Sequence, residues 1–211
     1  MSLQLKLEAG LRELDIQLSA ETVKKLLDYL ILLQKWNKVH NLTAVRDPDE
    51  MVTLHLLDSL SVLKHIPPGR LLDVGSGAGL PGIVLAICLP ELQVTTIDAV
   101  QKKASFMRQA KAELQIGNLT VVSGRVEQFK PEHLFNAVIS RAFSELSLFI
   151  KLTRHLIVDD GCWLAMKGVN PVEELAAVDL QPSRIEILHV PGLDAQRHLV
   201  FLPVNQNELI Q

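Results

Sequence analysis

The chain has 211 residues, 48% of them hydrophobic and 21% charged, and its 21 basic and 24 acidic side chains leave a net charge of −3. That length suits one globular domain with a small addition, and the apolar content excludes a disordered chain. The near-neutral balance excludes a whole-protein basic field, so a nucleic-acid substrate would have to be met by a local basic patch.

The opening Met1-Ser-Leu-Gln-Leu-Lys has no basic region leading into an apolar run, so no signal peptide is expected. No stretch reaches the roughly 18 uncharged apolar residues of a membrane span. Cys88 and Cys162 sit in apolar stretches and read as core thiols, and no Cys/His spacing points to a metal. These features predict a cytoplasmic protein in a reducing compartment.

The first part reads as helical. From Thr22 to Val39 the apolar positions Val23, Leu26, Leu27, Leu30, Ile31, Leu33 and Val39 recur every three to four residues. Lys24, Lys25, Lys35 and Lys38 on this helix read as a solvated face. Asn41-Leu-Thr-Ala-Val-Arg-Asp-Pro48 interrupts the pattern. Pro48, Asp49 and Glu50 then suit the first turn of a second helix, which carries Met51, Leu54, Leu57, Leu60 and Leu63 and ends before Pro67-Pro68-Gly69. The expected boundary lies here, with residues 1–66 a helical extension and 67–211 the main domain.

Beyond Gly69 the texture changes. Strands are predicted at Leu71–Val74, Leu92–Ile97, Leu119–Val122, Ala137–Ser140 and Cys162–Met166. Helices are predicted between them at Pro81–Leu89, Gln101–Leu114 and Leu146–Ile157, with a short one at Glu173–Val178. Arg184–Val190 and His198–Val204 form a predicted antiparallel pair joined by Pro191-Gly192-Leu193-Asp194. Strands alternating with helices argue for an α/β fold, a mostly parallel sheet covered on both faces.

The segment Asp73-Val-Gly75-Ser-Gly77-Ala-Gly79-Leu80-Pro-Gly82 joins a strand to a helix. Glycines there allow a tight turn and close approach of backbone N–H groups to a ligand. Asp98 ends the next strand, and a carboxylate there can accept hydrogen bonds from both ribose hydroxyls of an adenosine. No Gly-Lys-Ser/Thr follows, so a P-loop is excluded, and Leu80 stands where a dinucleotide fingerprint requires glycine. The spacing G-x-G-x-G with an acid two residues ahead resembles the first motif of Rossmann-like methyltransferases that use S-adenosylmethionine.

Phe135-Asn-Ala-Val-Ile-Ser140-Arg141-Ala142 places a strand and its following loop at the rim where open α/β sheets bind substrates. The Asn/Asp-Pro-Pro-aromatic motif of enzymes that methylate exocyclic amines is missing. Neither cysteine stands where cytosine-carbon methylation needs a nucleophile. A reaction without a strong base remains, which fits both guanine N7, whose lone pair is free, and a small molecule. A nucleotide-binding module without catalysis is a third reading. Arg141 is expected at the rim, touching RNA or the cofactor carboxylate. Asp58 is expected to pair with a nearby base. Trp36 and Phe143 are the aromatics best placed for stacking.

The chain resembles the bacterial 16S ribosomal RNA guanine-N7 methyltransferases, the glucose-inhibited division protein B family. The resemblance rests on Trp36-Asn37, Asn41-Leu-Thr-Ala-Val-Arg46-Asp47-Pro48, His55-Leu-Leu-Asp58-Ser59-Leu60, Leu72 through Ile83, Lys102-Lys103, Gly124-Arg-Val-Glu127, Ser140-Arg141-Ala142 and Lys167-Gly168, in order over nearly the whole chain. It implies methyl transfer from S-adenosyl-L-methionine to a guanine N7 of small-subunit ribosomal RNA, on a seven-stranded sheet with the helical extension folded over the cleft. The implied cofactor-binding residues are Asp73, Gly75, Ser76, Gly77, Gly79, Leu80, Asp98, Val126, Glu127 and Arg141. Asp73 is placed toward the methionine part and Glu127 toward the adenine. Arg141, His55 and Arg46 are the expected catalytic residues. Lys102, Lys103, Arg108, Lys167 and Arg197 are the expected RNA contacts, and a monomer acting on the small ribosomal subunit is the expected form. Two departures stand out. Similar proteins carry Lys-Arg at Lys102-Lys103 and end in a basic tail, which Asn205–Gln211 lacks.

Overall fold

The computed structural model describes residues 2–141, 143, 145–169, 172–176 and 181–205. Two helices open the chain, α1 (Leu3–Glu13) and α2 (Ala20–His40). Ser2 and Ser19 cap them by accepting backbone N–H groups of Leu5 and Thr22. The buried face of α2 is Val23, Leu26, Tyr29, Leu30, Leu33 and Asn37, a spacing of three to four residues. Ile31 and Val39, expected on that face, are 58% and 73% exposed. Leu32 and Tyr29 lie inward instead. Asn41 ends α2 in the left-handed conformation at φ 48°, which asparagine tolerates better than most residues.

The second expected helix divides into three. Asp47 caps α3 (Pro48–Met51), a π-helical turn spans Val52–Leu57, and α4 covers Asp58–Leu60. A 3₁₀ turn at Leu63–His65 follows. The apolar spacing gave no sign of the wider turn, because Val52, Leu56, Leu57 and Leu60 remain buried through it.

The sheet has seven strands in the order β3-β2-β1-β4-β5-β7-β6. They are β1 (Arg70–Val74), β2 (Gln93–Asp98), β3 (Leu119–Ser123), β4 (Phe135–Ser140), β5 (Ile157–Lys167), β6 (Arg184–Ile187) and β7 (His198–Pro203). The first five run parallel, and β7 is antiparallel to both β5 and β6. Between them lie α5 (Gly82–Cys88), α6 (Gln101–Glu113), α7 (Leu146–Thr153) and α8 (Val172–Ala176). The predicted helix Leu146–Ile157 is too long. A 3₁₀ turn at Arg154–Leu156 follows α7, and β-branched Ile157 already pairs with Phe135 at the start of an eleven-residue β5. The strand predicted to Val190 ends at Ile187. Val178 of the predicted short helix and Gln206–Gln211 lie outside the described residues.

One apolar cluster joins Leu26, Leu30 and Leu33 of α2 to Ile83 and Val84 of α5 and Phe106 and Met107 of α6. The N-terminal helices thus share a core with one face of the sheet. A second cluster, with Phe149 and Trp163, fills the other face. Parallel β1, β2 and β4 end at one edge, and antiparallel β7 begins there, since His198 pairs with Lys167 at the end of β5. That edge carries the site.

Candidate active site

The glycine loop leaves β1 and is tied to the end of β2. The Gly75 amide donates to Ile97 O at 2.9 Å, and the Gly77 amide donates to an Asp98 carboxylate oxygen at 2.9 Å. The other Asp98 oxygen accepts the Val100 amide at 2.8 Å, and Lys103 Nζ lies 3.6 Å from the oxygen that holds Gly77. Gly75 and Gly77 adopt φ of 68° and 61°, where side chains are disfavoured, and a Cβ at Gly75 would meet no protein atom within 4 Å. Open space over a left-handed turn is a cradle that a ligand can enter and a side chain would fill. Beside it lies a cleft of about 310 Å³ lined by Gly75, Asp98, Val126, Glu127, Phe143 and neighbours. An acid at the ribose position, apolar Val126 and Phe143, and an open turn free of Cβ atoms suit S-adenosyl-L-methionine.

The rest of the expected cofactor set supports the cradle from beneath. Asp73 is fully buried, and its Oδ2 accepts the Gly82 amide at 2.8 Å at the start of α5. Burial pushes its carboxyl up to about 7, against the lowering effect of the Gly82 amide. Ser76 Oγ donates to Asp73 O at 2.8 Å, and the Leu80 amide donates to Ser76 O. Ser76 and Leu80 are buried, so their side chains are inside the turn instead of in the cleft. Gly79 at φ 87° could not carry a Cβ without striking Ile83. Tyr29, which the sequence reading left aside, holds the loop from above. Its hydroxyl is buried and donates to Ala78 O at 2.7 Å.

The expected catalytic residues do not converge on that cleft. Arg46 is exposed and donates to Asn41 Oδ1 at 3.0 Å. His55 is 4% exposed, with Nε2 3.0 Å from Thr43 Oγ1. Burial, helped by the positive charge of Arg141, lowers its pKa to about 4 and keeps the ring neutral. It braces the Asn41–Asp47 loop and cannot meet a substrate in this arrangement. Buried Asn37 braces the same loop, accepting the Thr43 amide and donating to Val45 O. Arg141 follows β4 and donates through Nη1 to Leu54 O at 3.0 Å and to Asp58 at 3.1 Å. Asp58 also accepts from Arg197 Nε at 3.0 Å.

The expected RNA contacts separate into four places, with Arg197 on Asp58 as described. Lys102 and Lys103 open α6 at the cleft edge. Arg108 is exposed but lies about 9 Å farther along the helix axis, away from the rim. Lys167 corrects the expectation. Its side chain is only 10% exposed, and the ammonium donates to Phe143 O at 3.0 Å and Glu174 Oε2 at 2.7 Å. Glu174 in turn accepts the Leu146 amide, so this pair ties Phe143 and Leu146 to the end of β5. Ala142 of the Ser-Arg-Ala motif lies outside the described residues. No metal-binding cluster and no helix long and apolar enough to cross a membrane occur among the described residues.

In fold, the chain is similar to an S-adenosylmethionine-dependent methyltransferase from Aquifex aeolicus, at a TM-score of 0.56 and 18% identity over 80% of this chain and 96% of that one. An N-methyltransferase from Bradyrhizobium japonicum, solved with S-adenosyl-L-homocysteine, matches at 0.53 and 12% over 80% and 97%. At those identities the likeness establishes the Rossmann-like methyltransferase fold. Sequence similarity reaches further. The ribosomal RNA small subunit methyltransferase G of Methylobacillus flagellatus is 75% identical over 97% of this chain and all of its own length. That of Chromobacterium violaceum is 52% identical over 92% and 95%. Residues 22–200 match the family described as GidB: rRNA small subunit methyltransferase G, and the chain belongs to that family of methyltransferases.

Proposed function

We propose that the protein transfers a methyl group from S-adenosyl-L-methionine to N7 of a guanine in 16S ribosomal RNA. The observation that carries this reading is a glycine-cradled cleft with an acid at the ribose position, placed beside a rim of two arginines. When bound there, the cofactor supplies a methyl group activated by its positive sulfur. Gly75, Gly77 and Asp98 would hold it, with Val126 and Phe143 against its apolar surface and Glu127 at the cleft margin.

The chain's residues need not remove a proton, because guanine N7 carries a free lone pair in its neutral form. Among the described residues lining the cleft, the only carboxylates are Asp98, whose oxygens each accept a backbone amide, and Glu127. Neutral, buried His55 offers no base. The protein's work is then alignment and exclusion of water, and alignment alone can supply about 7–11 kcal/mol in favourable cases. Arg141 orients from the rim, since a guanidinium placed directly at N7 would oppose the cationic product.

A duplex hides guanine N7 in a deep, narrow groove, so the target is an exposed or everted guanine. With a net charge of −3, recognition rests on RNA shape in the small ribosomal subunit more than on bulk attraction. Residues 1–66 act as the extension that packs on the core and steadies the glycine loop through Tyr29, and the protein works as a cytoplasmic monomer. Labelled S-adenosyl-L-methionine and small subunits from cells lacking the enzyme test the reading. Label in 16S RNA, with chain cleavage at one guanine after borohydride and aniline, is expected. Label without cleavage overturns the N7 assignment, and no label overturns the RNA substrate.

A further inference from the structure

Asp58 has no role in the chemistry above, yet its carboxylate joins the two arginines of the rim. It is 3% exposed and lies in α4, directly after the π-helical turn. Its two oxygens are divided between two guanidinium groups from distant parts of the chain. Oδ2 accepts from Arg141 Nη1 at 3.1 Å and Oδ1 from Arg197 Nε at 3.0 Å. Each arginine side chain keeps about a quarter of its surface in solvent, 27% and 25%.

The donor count decides what these arginines can still do. A guanidinium carries five N–H groups in a fixed plane. Both hydrogens of Arg141 Nη1 are taken, one by Leu54 O and one by Asp58. Its Nε–Nη2 edge, which matches two oxygens of a phosphate or carboxylate, makes no hydrogen bond among the described residues. Arg197 uses Nε on Asp58 and Nη1 on Gln196 O, leaving Nη2 with no bond among those residues. One carboxylate between two guanidiniums leaves one surplus positive charge. The Leu54 carbonyl belongs to the π-helical turn, so that irregular turn supplies the second anchor of Arg141.

We propose that Asp58 is a positioning residue. It fixes Arg141 and Arg197 side by side as a two-arginine receptor for a phosphodiester oxygen of the substrate RNA. Neither arginine lines the cleft that holds Asp98 and Glu127, which favours the RNA over the cofactor's carboxylate as the oxyanion. The inference rests on the RNA-methylating reading. Methylation of small subunits by the unsubstituted protein, in the same assay, tests that reading separately.

The sign of the effect separates positioning from simple charge. Asp58→Asn adds a unit of positive charge, so an electrostatic role alone would tighten RNA binding. Positioning requires the opposite. The KM for small subunits should rise about tenfold, with S-adenosyl-L-methionine affinity by calorimetry unchanged. Arg197→Lys keeps the charge but loses the fork, and should raise the same KM by a smaller factor. Arg197→Gln should flatten the salt dependence of RNA binding by about 0.7–0.9 in log–log slope. If Asp58→Asn lowers or leaves that KM, or if cofactor affinity falls in step with it, the proposal is wrong. Should Asp58→Asn fail to fold by thermal melting, Arg197→Lys decides, and an unchanged KM for small subunits overturns the proposal.

Discussion

The proposed cofactor cleft is shaped by left-handed glycine turns and strand ends between Gly75 and Glu127, with Asp98 and Glu127 as its carboxylates. The rim is assembled from side chains at Asp58, Arg141 and Arg197, separated by 83 and 139 positions. The cleft is made by backbone conformation, which glycine spacing and strand ends dictate locally. The rim is made by ion pairing, which only the finished fold creates. A backbone-made site tolerates neighbours changing but not its glycines. A side-chain-made site fails one residue at a time, and through partners far away in sequence.

The largest effect expected from this contrast concerns the floor of the cleft. Asp73 has its carboxyl raised to about 7 by burial. The folded protein therefore keeps a proton that the unfolded chain releases near pH 4. Stability from this group is complete below pH 4 and is lost as pH rises from about 4 to about 7, on the order of a few kcal/mol. Asp73→Asn should remove that slope. Urea midpoints at pH 5 and pH 8 measure it, and equal slopes in both proteins would contradict the assignment.

Gly82→Ala should come next. Its new Cβ would lie 2.7 Å from both Asp73 Oδ2 and Thr96 Cγ2, which are buried and cannot retreat. A loss of about 1–3 kcal/mol is expected, read by denaturant unfolding. Tyr29→Phe tests whether the extension really steadies the cleft. Leaving Ala78 O unpaired should cost about 1–2 kcal/mol and weaken cofactor binding by calorimetry. The KM for small subunits should not change. An unaltered cofactor affinity would make Tyr29 a core residue and nothing more.

Arg46→Ala is the mildest. The residue is exposed, so stability should stay within about 0.5 kcal/mol. If it meets a phosphate, the salt slope of RNA binding falls by about 0.7. A flat result would confine the RNA contacts to the two-arginine receptor and the start of α6.

How much of this could be read beforehand follows the same division. The parallel strands, their helices and the antiparallel last pair were legible from β-branched runs and turn residues. Gly75 and Asp98 were legible as cleft residues from a turn and a strand end, and Val126 and Glu127, which also line the cleft, through the family resemblance. Lys167 was not, because nothing local to Lys167-Gly168 says that Glu174 will reach back to it. His55 was expected near the chemistry through the family resemblance, and in this arrangement it is buried beside Arg141. Asp58 was rightly expected to pair with a base, but not with two, one just after β4 and one just before β7. The π-helical turn left no trace, since leucines stay buried in either helical form.

The antiparallel strand β7 also sets an order of construction. Every residue that lines the cleft near Gly75, Asp98 and Glu127 is synthesised before β5 exists. Arg197 emerges only with the final hairpin, β6 and β7. A growing chain thus has every element around the glycine cleft before the arginine pair that Asp58 joins is whole.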